Sequence, residues 1–225
     1  MMFLWIPLTV AAAFLQNVRS ALQKHLKGQL GTTGATFVRF GYGFPVAIAY
    51  LAGLVFLFDF ELPEPNTTFF SFVAIGGLAQ ITATALLVTL FDARNFAVGT
   101  TYSKTETVQA AIFALVFLGE GISLTATLGI LVSLVGVITI SAAKGPAGLA
   151  SIAKSWTNRA ALTGLASGAF FGIAAISVRG GSLSLGGDGF LVQAGFTLAV
   201  MLIFQTIIMA TFMAIRNASE LRDVL

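Results

Sequence analysis

Lys104 and Glu106 are the residues whose chemistry is most foreign to their surroundings. They lie in the stretch Gly99 to Gln109, Gly-Thr-Thr-Tyr-Ser-Lys-Thr-Glu-Thr-Val-Gln, where nine of eleven residues carry a polar side-chain group. The largely apolar segment around them runs from about Asn95 to Leu118, long enough to cross a bilayer. A full charge at the bilayer centre costs at least ~2.5–3.5 kcal/mol on insertion scales, so such residues face a bundle interior or a wet cavity. A carboxylate held there can exchange protons with the medium, which suits proton-coupled transport. An ammonium there anchors an anionic group of a solute or a carboxylate across the bundle.

On an ideal helix, residues two apart point about 200° away from each other. Lys104 and Glu106 are therefore not expected to face one cavity squarely. Thr100, Lys104 and Thr107 form one strip, and Tyr102, Glu106, Gln109 and Phe113 form another. Glu106 is the stronger candidate for a path, because Tyr102 and Gln109 flank it with hydrogen-bonding groups and Phe113 adds an apolar wall. The plainer alternative is that both charges satisfy polar partners on adjacent helices and bind nothing. Gln16, Gln80 and Thr84, on other apolar segments, can reach the same cavity or simply hydrogen-bond across a helix pair. Arg19 and Arg39 sit near one membrane face, where snorkelling to the headgroups accounts for them. The expected substrate or ion path is thus Tyr102, Lys104, Glu106, Gln109, Gln80, Thr84 and Gln16.

The chain must position these residues inside lipid. Hydrophobic residues make up 57% of 225 and charged residues only 9%, with a mean hydropathy of +0.94. Soluble domains carry roughly 25% charged residues, so the class is an integral, multi-pass, all-α membrane protein. The net charge of +3 is no nucleic-acid signal, because most Lys and Arg residues sit at span ends. Without cysteine, and with the single His25 in a loop, the sequence offers no disulfide and too few ligands for a thiolate or histidine metal site. No Ser/His, paired-Asp or His/Glu constellation suggests an enzyme, and no cofactor or metal is expected. A retinal pigment would need a lysine in the last helix, which has none. A channel, a structural membrane subunit or a seven-helix receptor stands as the alternative to a transporter.

Seven apolar spans are expected: about Phe3 to Leu22, Ala35 to Phe58, Phe69 to Leu90, Asn95 to Leu118, Leu124 to Ala142, Ala160 to Val178 and Phe190 to Ile215. The first is read as a retained helix, because Met1 to Gln16 lacks a basic n-region. Gln16, Ser20 and Gln23 share its face. Pro45 should kink the second, and Gly77, Gln80 and Thr84 share a face of the third. Gly129 and Gly136 give the fifth a small-residue stripe that invites a close neighbour. Glu120 is expected to cap the fifth helix or pair across the interface. Setting Ala13-Phe14 against Ala169-Phe170 gives an offset of 156 residues that also carries the second span onto the seventh. Residues 1–143 then form a five-helix repeat, 144–159 a linker loop, and 160–225 the first two helices of a second, inverted repeat. Lys24, Lys27, Arg94, Lys144, Lys154, Arg159, Arg216 and Arg222 fall on one side and only Arg179 on the other, which places the N-terminus outside the cytoplasm.

The segment Ala93-Arg94-Asn95-Phe96-Ala97-Val98-Gly99, then Ser103-Lys104-Thr105-Glu106, then Leu118-Gly119-Glu120 and Gly129 to Val137 resembles the end of an EamA-type repeat of the drug/metabolite transporter superfamily. Arg39-Phe40 opening the second span also fits. The resemblance covers residues 1–143 well and 160–215 weakly. It implies ten helices in two inverted repeats, alternating access, and movement of small metabolites or drug-like solutes, often outward, across a bacterial inner membrane. It also implies a cytoplasmic N-terminus, against the charge count, and three helices beyond those counted here. The expected partners are a small-molecule solute, lipid, protons as coupling ion, and either the missing helices or a second copy in a homodimer. The chain departs from the family at Thr107, near which the family has a proline that breaks the helix.

Overall fold

A computed structural model describes residues 5–92, 101–119, 121, 123–142, 159–187 and 189–224. Arg94, the start of the fourth span at Asn95 to Gly99, Thr100, Glu120 and residues 144–158 of the expected linker lie outside the described residues. Among those described there is no strand. The helices are α1 (Trp5–Lys27), α2 (Thr32–Gly41), α3 (Gly43–Phe58), α4 (Thr67–Thr89), α5 (Glu106–Leu118), α6 (Leu124–Ala142), α7 (Arg159–Ser184), α8 (Phe190–Arg216) and α9 (Ala218–Val224). Among the described residues, four passages are long and apolar enough to cross a membrane: Thr32–Phe58, Thr67–Thr89, Arg159–Ser184 and Phe190–Arg216. The second half of α1 is diluted by Gln16, Asn17, Arg19 and Ser20, and α5 is only 13 residues long.

The second span is broken, as its proline requires, but the break falls earlier than Pro45 itself. Pro45 has no N–H to give the carbonyl of Gly41, and its ring crowds that same carbonyl. Accordingly α2 stops at Gly41 and α3 starts at Gly43. Pro45 then occupies the first turn of α3, where a missing N–H costs little.

Helices α4 and α7 form the centre of the bundle, with α8 packed on both and α5 on α7. Glycine makes the centre that tight. A Cβ on Gly76 would lie 2.6 Å from Cβ of Ser177, and one on Gly180 would lie 2.6 Å from the ring of Phe72. The stripe at Gly129 and Gly136 does not act this way. No described atom comes within 4 Å of a Cβ built on either. The reason is position: most described side chains of α6 are exposed, and Val137 is the one buried. Ser123 caps α6, its Oγ accepting from the N–H of Ala126 at 3.2 Å.

Ser167 and the Gln205 amide N–H groups bond across the central helices, while Gln205 Oε1 has no partner among the described residues. Ser167 Oγ donates to the carbonyl of Ala83 (2.9 Å), and Gln205, fully buried on α8, donates to Gln80 Oε1 (2.7 Å) and to the carbonyl of Gly77 (3.3 Å). Asn66 caps α4 by accepting from the N–H of Phe69 and ties it to the end of α7 by donating to the carbonyl of Ser184. With no water in the hydrocarbon core, such groups need internal partners. The outer surface is the reverse: Phe56, Leu57, Val116, Phe117 and Val132 are exposed, an apolar coat for lipid. The amphipathic α9 folds back onto α2. Leu221 and Val224 join Phe37, Phe40, Met209 and Met213, while Glu220 accepts from the N–H of Gly34 at 2.7 Å, placing its charge at the positive end of the α2 dipole.

Close approach at Gly76 and open space at Gly129 predict opposite responses to the same change. Gly76→Ala should destabilise by about 1–3 kcal/mol through overpacking, whereas Gly129→Ala should be neutral or stabilising by up to ~1 kcal/mol from helix propensity. Unfolding midpoints in detergent would show the split; equal shifts would contradict this packing.

Candidate functional site

The polar stretch is not one continuous helix. A helical turn at residues 101–103 gives way to a turn at Lys104 and Thr105, and α5 restarts at Glu106. Thr105 drives the break. Its Oγ1 donates to the carbonyl of Tyr102 (2.7 Å), and its N–H donates to the same carbonyl (3.1 Å), so the chain tightens to three-residue bonds there. A threonine hydroxyl competing for local carbonyls does this without proline, so the substitution at Thr107 does not abolish the interruption. Gly168 of α7 accommodates the turn: a Cβ there would lie 3.0 Å from the carbonyl oxygen of Ser103 and 3.1 Å from Thr105 Oγ1.

The break corrects the expectation that Lys104 and Glu106 cannot share a cavity. Both line one cavity of about 530 Å³, together with Gln16, Asn17, Arg19, Ser20 and Lys24 of α1. Thr101 and Ser103 contribute from the polar stretch, and Leu87, Phe91, Val137 and Phe171 form its apolar walls. Lys104, Arg39 and Arg19 all act electrostatically on Glu106. Of the seven residues singled out from the sequence, Gln16, Lys104 and Glu106 reach this cavity.

The other four stand behind it or away from it. Tyr102 is completely buried and has partners of its own. Gln109 turns to α7, donating to the carbonyl of Leu165 (3.4 Å) as well as to Thr105 Oγ1 (2.8 Å). Phe113 likewise packs on α7, against Gly172. Gln80 is engaged by Gln205 across the α4–α8 contact. Thr84 is buried and accepts from Nη1 of Arg39 at 3.1 Å while donating to the carbonyl of Gln80 at 2.8 Å.

Arg39 and Arg19 do not snorkel. The Arg39 guanidinium is held by Thr84 and lies 5.3 Å from the ring centroid of Phe171 and 5.7 Å from that of Phe40. A hydroxyl acceptor and two aromatic faces replace the headgroup region it would otherwise seek. Arg19 lines the cavity, and its Nε is buried without a hydrogen-bond partner among the described residues. The sequence held a signal for Arg19: it stands three residues after Gln16 and four before Gln23, inside the polar face of α1. For Arg39 the signal lies in Thr84, Phe40 and Phe171, which only the fold brings together.

The profile of the EamA-like transporter family matches residues 3–142. Comparisons with curated proteins and with solved structures give no significant match.

The Arg39–Thr84 contact predicts that Thr84→Val, nearly isosteric, destabilises by about 1 kcal/mol by leaving a buried guanidinium N–H without its acceptor. Thr82→Val, on an exposed face of the same helix, serves as the control and should change nothing. Equal midpoints for the two variants in detergent would rule the contact out as a structural tie.

Proposed function

The chain belongs to the EamA-like transporter family, and from that premise we propose that it is a secondary transporter moving small metabolites or drug-like solutes by alternating access, coupled to protons through Glu106. The observation that carries this reading is that Glu106, Lys104, Arg19 and Gln16 line one cavity of a helical bundle with an apolar exterior. Its volume falls within the ~300–1,000 Å³ of small-molecule sites. Intramembrane carboxylates facing such cavities serve proton relays in transporters. Glu106 begins a helix immediately after a break, an arrangement common at the solute sites of transporters built from inverted repeats. Outward movement and a bacterial inner-membrane location are carried over from the family resemblance, as is the pairing of residues 1–143 with an inverted second repeat from residue 160 onward.

Glu106→Gln keeps the shape of the side chain and removes its titration. Proton-driven solute movement in vesicles should fall to background, with the variant inserted at near-normal levels. Wild-type rates in that variant would refute proton coupling through Glu106.

A further inference from the structure

We propose that the cavity recognises a small organic anion, its anionic head held between Arg19 and Lys104 and its apolar body lying against Leu87, Phe91 and Phe171. The inference rests on the transport reading above and adds the chemical class of the solute. Among the described lining residues, Arg19 and Lys104 stand with a single carboxylate, Glu106. Arg39, tied to Thr84 behind the cavity wall, adds a further positive charge within electrostatic reach of that carboxylate. An excess of positive charge on the wall of a cavity lined in part by apolar side chains favours an anionic ligand. A cationic solute would add to that excess, and a neutral one would leave it uncompensated.

Arg19 adds the geometric argument. Its Nε is buried and unpartnered among the described residues, so a guanidinium donor is already desolvated at the cavity. A guanidinium offers a planar fork that carboxylate and phosphate heads match with paired hydrogen bonds, and a nearby ammonium adds a point charge. The cavity also offers both kinds of surface. Gln16, Asn17, Arg19, Ser20, Lys104 and Glu106 give its lining polar groups from α1 and the polar stretch, while Leu87, Phe91 and Phe171 supply apolar surface. A solute with one charged head and an apolar body satisfies both.

The test is calorimetric binding to the full chain in lipid nanodiscs at neutral pH, using four probes that share a phenyl body. These are 3-phenylpropionate, phenyl phosphate, 3-phenylpropionamide and 3-phenylpropylamine. At least one anion should bind about tenfold or more tightly than the amide, as a charge-assisted contact worth ~1.4 kcal/mol requires, and the amine should bind most weakly. Which anion binds tells a carboxylate head from a phosphate head. Lys104→Met should bring the preferred anion's affinity close to that of the amide, and Lys104→Arg should restore the preference. Equal binding of anion and amide, tighter binding of the amine, or no binding by any probe to monodisperse protein would overturn the proposal. An anion preference in a chain that moves no solute in vesicles would instead overturn the transport reading and leave this site standing. Vesicle transport of neutral or cationic solutes, with no anion bound, would do the reverse.

Discussion

Charges placed inside an apolar bundle must be solvated by the protein or by a cavity, and the rest of this structure follows from how that is done. Arg19, Arg39 and Glu106 are half-buried, and Lys104 is exposed at the cavity, in a fold whose exterior carries Phe56, Phe117 and Val132. Each unsatisfied polar group in hydrocarbon costs several kcal/mol. The protein answers in two ways. Arg39 is given a protein environment, with a buried threonine on one side and the faces of Phe40 and Phe171 beside it. Arg19, Lys104 and Glu106 are given a cavity.

The cavity depends in turn on backbone geometry. A continuous helix through residues 101–118 would send Lys104 and Glu106 to different sides, and the turn at Lys104–Thr105 brings them together. That turn needs space, which α7 supplies at Gly168, with Gly172 admitting Ala110 and Phe113 one turn on. Helix α7 can present glycines there because its opposite contacts with α4 are equally close, through Gly76 against Ser177 and through Ser167 bonded to Ala83. Small residues in α7 thus link the tight centre of the bundle to the placement of its charges.

Much of this was legible in the sequence. Four of the apolar spans, an interruption near Pro45 and the polar face of α1 follow from composition and periodicity, because they are local properties. What sequence periodicity misjudged or left open depends on which faces meet. The Gly129/Gly136 stripe looks like a packing face, but α6 lies at the rim of the described bundle. Gln80 has two open readings in the sequence, cavity lining or a bond across a helix pair, and only the fold brings Gln205, 125 residues further on, to engage it. Arg39 looks like a headgroup anchor until Thr84 and Phe171 are placed beside it. The helix break at Lys104–Thr105 was hidden for another reason: a threonine hydroxyl produces it where family precedent pointed to proline.

The central claim is that water reaches Lys104 and Gln16, both exposed where they line the cavity, while the polar contacts between the central helices remain dry. The chain has no cysteine, so single cysteines can be introduced one at a time into an otherwise unreactive protein. Labelling by a charged, membrane-impermeant thiol reagent in sealed vesicles of either orientation measures that access directly. Cysteines replacing Gln16 and Lys104 should react from one side, and those replacing Ser167 and Gln205, buried between α4, α7 and α8, should not. Unreactive cysteines at 16 and 104, or reaction at 167 and 205 to the same extent, would contradict the account.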